Sequence, residues 1–416
     1  MPTTKSRSKA LVGQFSITPA LELTKFVKGI DALSGTLPSM LKHLISDLDR
    51  KTNTYHRFLH SHGKARFRNG KKTYVIEGKY VSRVEMLRKD VDKSDLSFYA
   101  IPEIFFVSLV NRFEAFVAGL LKVIVSMRPE VLHGSSREIK FEDLMNTNSV
   151  QEIRDQLIED RIDSSQREGY EKFFRWIENT FHVEVVKTIP SWNSFIEIIQ
   201  RRHLFVHADG QISSQYLAIC KRNKVEGISK YKKGERIAMS PEYFHQTYRC
   251  LFEVAVKLTH ILWRHVRPDQ IAESDENITD LTYELLQAEH NNLACRLLDF
   301  ACLQLESFSK EEVRRRLIIN RAQAYKWRGK TGACKKILNE IDWTACNEMF
   351  QIAVAVLNDD FTRAAGLMHS IAKTGLVHEH QYADWPLFKK FRKSQIFLKT
   401  FKRLYHHPFS REEKSR

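Results

Sequence analysis

Apolar residues recur with the period of an α-helix through most of the chain from Leu96 onward. The segment "IPEIFFVSLVNRFEAFVAGLLKVIVSM" (residues 101–127) is apolar on nearly all sides, which is typical of a helix at the centre of a bundle. The segments "SWNSFIEIIQRRHLFVHADG" (191–210) and "SPEYFHQTYRCLFEVAVKLTHILWRHV" (240–266) are amphipathic. The pattern therefore predicts an all-α protein with an antiparallel helical bundle over residues 96–266.

The chain after the bundle predicts a second domain. Residues 267–280, "RPDQIAESDENITD", are polar, contain a proline and are expected to form a linker. In residues 281–416, small and larger residues recur at one spacing, at Ala322, Tyr325, Gly329 and Cys334 and again at Ala353, Val356, Asp360 and Ala365. This spacing resembles degenerate tetratricopeptide units, which are helical hairpins. A capping helix is expected at residues 385–405, "WPLFKKFRKSQIFLKTFKRLY".

Residues 1–95 are predicted to form a basic N-terminal region. A helical segment near Pro19–Leu48 leads to "KARFRNGKKTYVIEGKYV", where Asn69-Gly70 separates two alternating runs. This is a strong signal for a β-hairpin, which we expect near residues 66–80. Four cations lie close to its tip, namely Arg66, Arg68, Lys71 and Lys72. They either contact a phosphate backbone or keep a solvated turn soluble.

The charge and composition of the chain indicate which classes of partner it can bind. The formal charge of +16 favours a polyanion, either nucleic acid or an anionic membrane surface. No membrane span is expected, because polar residues interrupt the most apolar stretch at Glu103, Asn111, Arg112, Glu114 and Lys122. The N-terminus shows no signal peptide. The six cysteines include no Cys-x-x-Cys pair, so we expect a cytoplasmic protein without a metal site or a cofactor.

Three stretches place a histidine five residues after an arginine, at Arg57/His62, Arg128/His133 and Arg202/His207. Such spacing arises by chance in a chain with this many histidines, so the neighbouring residues must show which pair belongs to a functional site. The first pair lies in a His-rich stretch that turns, and the second lies at a proline that breaks the helix. Only the third lies inside a strong amphipathic pattern, which Gly210 closes as a C-cap would.

The stretch "QRRHLFVHADG" (200–210) resembles the signature of the HEPN superfamily, an arginine followed by a polar residue and, after three more residues, a histidine. The resemblance covers roughly residues 96–266. It implies a bundle that dimerises across the motif and, in many members, a metal-independent endoribonuclease of a toxin–antitoxin or antiviral abortive-infection system. His203 replaces the commoner asparagine. Asp209 stands where some toxins carry a tyrosine that a partner nucleotidyltransferase modifies, so the chain departs from the family's pattern at this position.

Metal-free RNA cleavage requires proton transfer from the 2′-hydroxyl and to the 5′-oxygen, and stabilisation of the phosphorane. We expect His207 to be the general acid or base, Arg202 to stabilise the phosphorane and His203 to assist. On an ideal helix, Arg202 and His207 differ by about 140° in direction and about 7.5 Å along the axis. We therefore expect a homodimer in which one chain's histidine faces the other's arginine.

The remaining polar residues allow alternatives. Asn111 and Glu114 either support the site from the central helix or are hydrogen-bonded core residues. Arg201 is expected to contact RNA with the hairpin cations, and the C-terminal repeats to recruit a protein partner or inhibitor.

Residues 200–210 could instead form a purely structural network. They could also belong to a non-catalytic module that binds a nucleotide or RNA and dimerises, while the C-terminal repeats bind the protein's partner. His203 and His207 have the i, i+4 spacing of metal ligands, but the stretch lacks a zinc protease's glutamate and a third ligand. The sequence contains no P-loop, Rossmann glycine pattern or nucleophile elbow.

Overall fold

A computed structural model of the chain describes residues 17–68, 71–132, 149, 152–153, 155–160, 164 and 169–410. This part of the chain is mostly helical and contains a two-stranded antiparallel hairpin near its N-terminal end, which confirms the fold class at that level. The chain divides into two compact units. Unit 1 lies within residues 1–182 and 189–255, and unit 2 within residues 183–188 and 256–416.

Unit 1 is built from two long helices, a hairpin between them and shorter helices. Its elements are α1 (Pro19–His62), β1 (Gly63–Arg68), β2 (Lys71–Ile76), α2 (Val81–Met127), α3 (Tyr170–Phe181), α4 (Trp192–His207), α5 (Ser214–Arg222) and the first part of α6 (Pro241–Val266). The helix α1 begins where the Thr18 side chain accepts a hydrogen bond from the Leu21 amide at 3.2 Å. The hairpin formed by β1 and β2 covers residues 63–76, whereas the sequence predicted it near residues 66–80. Its predicted Asn69-Gly70 turn lies outside the described residues.

The helix α1 packs along α2. The Phe26 ring stacks on Phe116 with centroids 4.7 Å apart and meets Phe113 edge-on at 6.0 Å. The helix α1, which lies in the region predicted as basic and N-terminal at residues 1–95, thus contributes its own apolar face to the core of unit 1. The second helix also begins earlier than the pattern indicated, at Val81 rather than Leu96.

The helix α2 contains a stretch that is long and apolar enough to cross a membrane by length and composition alone. Half of that stretch is buried within the described chain. Phe106, Leu109 and Phe113 are fully buried there, as expected for the central helix that the sequence predicts over residues 101–127.

Unit 2 is a succession of short helices. Its elements are the last part of α6, α7 (Ile271–Gln287), α8 (Asn291–Leu303), α9 (Glu311–Trp327), α10 (Thr331–Asn339), α11 (Glu348–Leu357), α12 (Phe361–Thr374), α13 (Glu379–Asp384) and α14 (Gln395–Tyr405). Small residues at the predicted spacing are buried in its core, namely Ala322, Cys334, Ala353 and Ala365. Asp360 caps α12, since its side chain accepts a hydrogen bond from the Arg363 amide at 3.0 Å. The final helix α14 buries Phe397 and Phe401 and exposes Lys399 and Lys402.

The segment 267–280, predicted to be a linker, is instead mostly helical and lies largely in α7. Its polar composition has a structural reason. The buried carboxylate of Asp275 pairs with Arg264 and accepts hydrogen bonds from the amide and hydroxyl of Ser309, both at 2.7 Å. The buried charge of Asp275 is therefore satisfied within unit 2, while Asp269, Glu273 and Glu276 of the same segment are exposed.

Candidate functional site

The helix α4 carries the predicted catalytic residues on its last turns. It ends after His207, and the Gly210 amide bonds back to the Leu204 carbonyl at 3.0 Å. Gly210 has a φ of +73°, a conformation that favours glycine, and a Cβ there would lie 3.2 Å from the Phe205 ring. The C-cap is Ala208, and Gly210, which the sequence predicted to close the helix, does so from two residues further on.

Arg202 points toward α2. Its Nη2 atom lies 3.2 Å from Asn111 Oδ1 and 3.4 Å from Glu114 Oε2. The structure therefore brings the two predicted supporting residues to the predicted phosphate-binding arginine, across about 90 residues of sequence. The Arg202 Nε atom is buried and has no hydrogen-bond partner among the described residues. The guanidinium thus retains donor capacity that its neighbours do not use.

The carboxylate beside Arg202 is held in an unfavourable environment for its charge. Burial raises the pKa of Glu114, although Arg202 and the Tyr170 hydroxyl both act to lower it. The sequence pattern did not indicate Tyr170, which lies on α3 and whose own pKa is raised by burial and by Glu114. A buried carboxyl group with a raised pKa takes up a proton more easily than an ordinary one does.

The two histidines lie side by side at the end of α4. Their ring centroids are 6.1 Å apart and the rings are nearly perpendicular, at 88°. His207 is exposed, whereas His203 is half-buried. Burial, Arg202 and His207 together lower the pKa of His203, which favours its neutral form near neutral pH. We call Asn111, Glu114, Arg202, His203 and His207 the Arg202 cluster.

Arg201, predicted to contact RNA, is not placed to do so, because it is 4% exposed. Its Nε atom donates to Glu197 Oε1 at 2.8 Å, and its guanidinium carbon lies 3.6 Å from the centroid of the Tyr243 ring. The hydroxyls of Tyr216 and Tyr243 donate to the same carboxylate. We call these four residues the Glu197–Arg201 network, and its internal bonding assigns Arg201 a structural role.

The loop that follows α4 is tied to α2. Arg236 donates to both carboxylate oxygens of Glu103, at 2.8 and 2.9 Å, and lies 3.4 Å from Asp209 Oδ1. No sequence pattern indicated this contact, since Glu103 and Arg236 are 133 positions apart. It fixes the chain just beyond His207, at the exposed end of the Arg202 cluster.

The predicted hairpin cations lie on β1 and β2. Arg66 and Lys72 are exposed. Arg68 and Lys71 are paired strand residues whose side chains lie outside the described part of the structure. Of the other arginine–histidine pairs, Arg57 and His62 lie near the end of α1, and His133 lies outside the described residues.

Among the described residues, no group of three or more histidine, cysteine or acidic side chains is arranged to hold a metal ion. No family model, curated protein or solved structure matches this chain.

Proposed function

We propose that the chain is a metal-independent endoribonuclease of the HEPN type that cleaves RNA at a homodimer interface. The observation that carries the proposal is the Arg202 cluster, in which Asn111 and Glu114 hold the guanidinium of Arg202 and the same last turns of α4 carry His203 and His207. These are the groups that metal-free RNA cleavage requires.

Each residue of the cluster has a role in this reaction. Arg202 binds the scissile phosphate and stabilises the negative charge of the phosphorane. His207, which is exposed, exchanges a proton with the 2′-hydroxyl or the 5′-oxygen. His203, with its lowered pKa, orients His207 or accepts a proton in the complementary step. Asn111 and Glu114 are positioning residues, since they act through Arg202.

The surface beside the cluster is suited to a second copy of the chain. Ile104 is 57% exposed and lies two helical turns before Asn111, on the same face of α2. Val206 is 44% exposed and lies one turn after Arg202. A partner subunit covering both side chains would bring its own Arg202 and His207 to the same groove.

The remainder of the chain fits an effector with a separate recognition domain. We assign unit 2 to degenerate tetratricopeptide-like repeats that bind a protein partner, an activator or an inhibitor. The proposed setting is the cytoplasm, as a toxin or antiviral effector acting on RNA. The basic hairpin contributes cations that attract RNA.

The test is RNA cleavage in the presence of EDTA. We expect the purified chain to cut total RNA and both Arg202→Ala and His207→Ala to be inactive. Two exposed residues provide matched controls, Arg175 on α3 and His182 directly after it, and Arg175→Ala and His182→Asn should retain full activity. Cleavage that EDTA abolishes, or that survives in Arg202→Ala and His207→Ala, would contradict the proposal.

Mixing the two inactive variants tests the two-fold geometry. If one chain's His207 works with the other chain's Arg202, a heterodimer of Arg202→Ala and His207→Ala contains one intact site. Equal mixing with free exchange should restore about a quarter of the wild-type activity. No restoration, with heterodimers demonstrated by differently tagged chains, would place the whole site within one subunit.

A non-catalytic RNA- or nucleotide-binding module is the second candidate. The observation that favours it is the ion pair of Arg202 with Glu114, which engages the guanidinium in the isolated chain. This candidate predicts that RNA stays intact with the wild-type chain while Arg202→Ala still weakens binding.

A further inference from the structure

The end of α1 and the hairpin form a segment whose formal charges are all positive. Residues 51–76 contain no aspartate or glutamate. Their cations are Lys51, Arg57, Lys64, Arg66, Arg68, Lys71 and Lys72, and three histidines accompany them. Lys51 pairs with Asp47, but Lys64, Arg66 and Lys72 are exposed and form no ion pair with another described residue. Their charge is therefore available to an anionic partner.

The strand register divides the hairpin into two faces. Phe67 pairs with Lys72 and Ala65 pairs with Tyr74, so these four side chains share one face. The alternate residues, which include Arg66 and Val75, point to the other. The two exposed apolar side chains of the hairpin, Phe67 and Val75, thus lie on opposite faces.

The first of these faces combines aromatic rings with a cation. Phe67 is 77% exposed, the largest exposed fraction among the large apolar residues of the described chain. The ammonium of Lys72 lies 5.4 Å from the centroid of the Tyr74 ring. The Tyr74 hydroxyl lies 3.1 Å from the ring nitrogens of His60, at the end of α1. We call Phe67, Lys72, Tyr74 and His60 the stacking face.

We propose that the stacking face binds single-stranded RNA, with a base stacked on Phe67 and a backbone phosphate on Lys72. An exposed aromatic ring beside a lysine matches the two parts of a nucleotide, its flat base and its charged phosphate. A duplex hides the faces of its bases, so an aromatic ring selects single strands. A bilayer fits less well, because a lysine lies directly across from Phe67 and Val75 points the other way.

The hairpin lies far from the Arg202 cluster within one chain. The helix α2 runs from Val81, next to the hairpin, to Asn111, and 30 residues of helix span about 45 Å. A stacked strand advances about 3.4 Å per nucleotide, so about 13 nucleotides separate the two places. If the proposed nuclease function holds, the hairpin therefore grips RNA away from the cut and acts on long substrates.

Binding is measured on the full chain with a fluorescent single strand of 2′-O-methyl RNA, which lacks the nucleophile for cleavage. We expect Phe67→Leu, which keeps an apolar side chain but removes the ring, to weaken binding by about 5-fold to 150-fold. The salt dependence of RNA binding should be the same in Phe67→Leu as in the wild-type chain. Lys72→Ala should weaken binding and reduce the slope of log affinity against log salt by about 0.7. Val75→Ala, on the opposite face, is the matched control and should bind as wild type does.

Three results would overturn the inference. The first is equal affinity of Phe67→Leu and Val75→Ala for the single strand. The second is equal affinity of the wild-type chain for the strand and for its duplex. The third is an effect of Phe67→Leu on binding to phosphatidylserine vesicles but not to RNA, which would assign the hairpin to a membrane. Because Phe67 contributes almost nothing to the core, thermal unfolding of all three variants should match that of wild type.

A cleavage assay separates this inference from the proposed nuclease. Phe67→Leu should lower the ratio of kcat/KM on a long RNA to kcat/KM on one of about 6 nucleotides, which is too short to span 45 Å. If the wild-type chain cuts nothing but the strand still binds through Phe67, the nuclease proposal fails and the binding site stands. If the wild-type chain cleaves RNA but binding does not depend on Phe67, the nuclease proposal stands and the binding site on the hairpin fails.

Discussion

Arg201 and Arg202 are consecutive residues of one helix, yet their surroundings differ completely. A step of one residue turns an α-helix by about 100°, so the two side chains leave α4 toward different neighbours. Arg201 is enclosed with Glu197 and two tyrosines, and each group has a partner. Arg202 reaches the edge of α2, where its Nε atom remains unpaired among the described residues.

The difference lies in how completely each charge is satisfied by its neighbours. In the Glu197–Arg201 network, Tyr243 and Glu197 raise the pKa of Arg201 even though burial opposes its charge. The network is complete without a ligand. In the Arg202 cluster, burial raises the pKa of Glu114, so the partner of the arginine is itself poorly stabilised as an anion. A phosphate would complete what Glu114 supplies only in part.

The largest expected effect concerns Arg201. Arg201→Ala removes the cation from a buried carboxylate and should lower the free energy of unfolding by about 3–5 kcal/mol. Urea denaturation of the purified variants measures this loss. Arg222→Ala is the control, because the Arg222 side chain is 64% exposed in its pair with Glu171 and should cost at most about 1 kcal/mol.

A double variant sharpens that result. Glu197→Gln with Arg201→Met leaves no unpaired charge in the core and should be more stable than Arg201→Ala alone. If Arg201→Ala costs no more than Arg222→Ala, the network does not hold the helix and the comparison with Arg202 fails.

Arg202 should show the opposite pattern. Arg202→Ala should reduce RNA cleavage by about 100-fold to 1,000-fold, as expected when a group that stabilises transition-state charge is removed. Its free energy of unfolding should fall by less than the about 3–5 kcal/mol expected for Arg201→Ala, because Glu114 takes up a proton more easily than an ordinary carboxyl group. Single-turnover cleavage and urea denaturation on the same preparations measure the losses of activity and of stability. A loss of stability equal to that of Arg201→Ala would make Arg202 a structural residue as well.

Part of this contrast is visible in the sequence and part is not. The helical period and Gly210 predicted α4 and its end, and polar breaks in an apolar helix singled out Asn111 and Glu114. The burial of Arg201 was missed, although its i, i+4 spacing from Glu197 was an available signal. No spacing indicates Tyr170, since its contact with Glu114 depends on how α3 packs on α2.

The segment 267–280, predicted to be a linker, also shows that tertiary contacts are not visible in the sequence. Polar residues over 267–280 are typical of a solvent-exposed segment, and composition alone cannot reveal a partner elsewhere in the chain. Arg264 and Ser309 provide that partner set for Asp275. Burial of polar residues is therefore a tertiary property, whereas helical periodicity is a local one that the sequence carries directly.

A smaller effect is expected at Asn111. Its side chain is exposed, so Asn111→Ala removes an acceptor from Arg202 at a cost of about 1 kcal/mol, or about 5-fold in kcat. Asn111→Asp keeps an acceptor oxygen and should restore the orientation of Arg202. Steady-state kinetics should show the loss in kcat rather than in KM. Equal activity of Asn111→Ala and wild type would exclude a positioning role.

The smallest effect is a pH dependence set by His203. Its pKa is lower in the folded chain than the ordinary value of 6.5, because burial, Arg202 and His207 disfavour the charged ring. The unfolded chain therefore binds more protons as the pH falls below 6.5, and stability decreases with it. His203→Gln should flatten the fall of the urea midpoint between neutral and mildly acidic pH. Arg202→Ala should flatten it in part, since one of the two neighbouring cations is gone. An unchanged slope in both variants would show that His203 titrates as a solvent-exposed histidine does, and that the contrast between the two arginines does not extend to their neighbours.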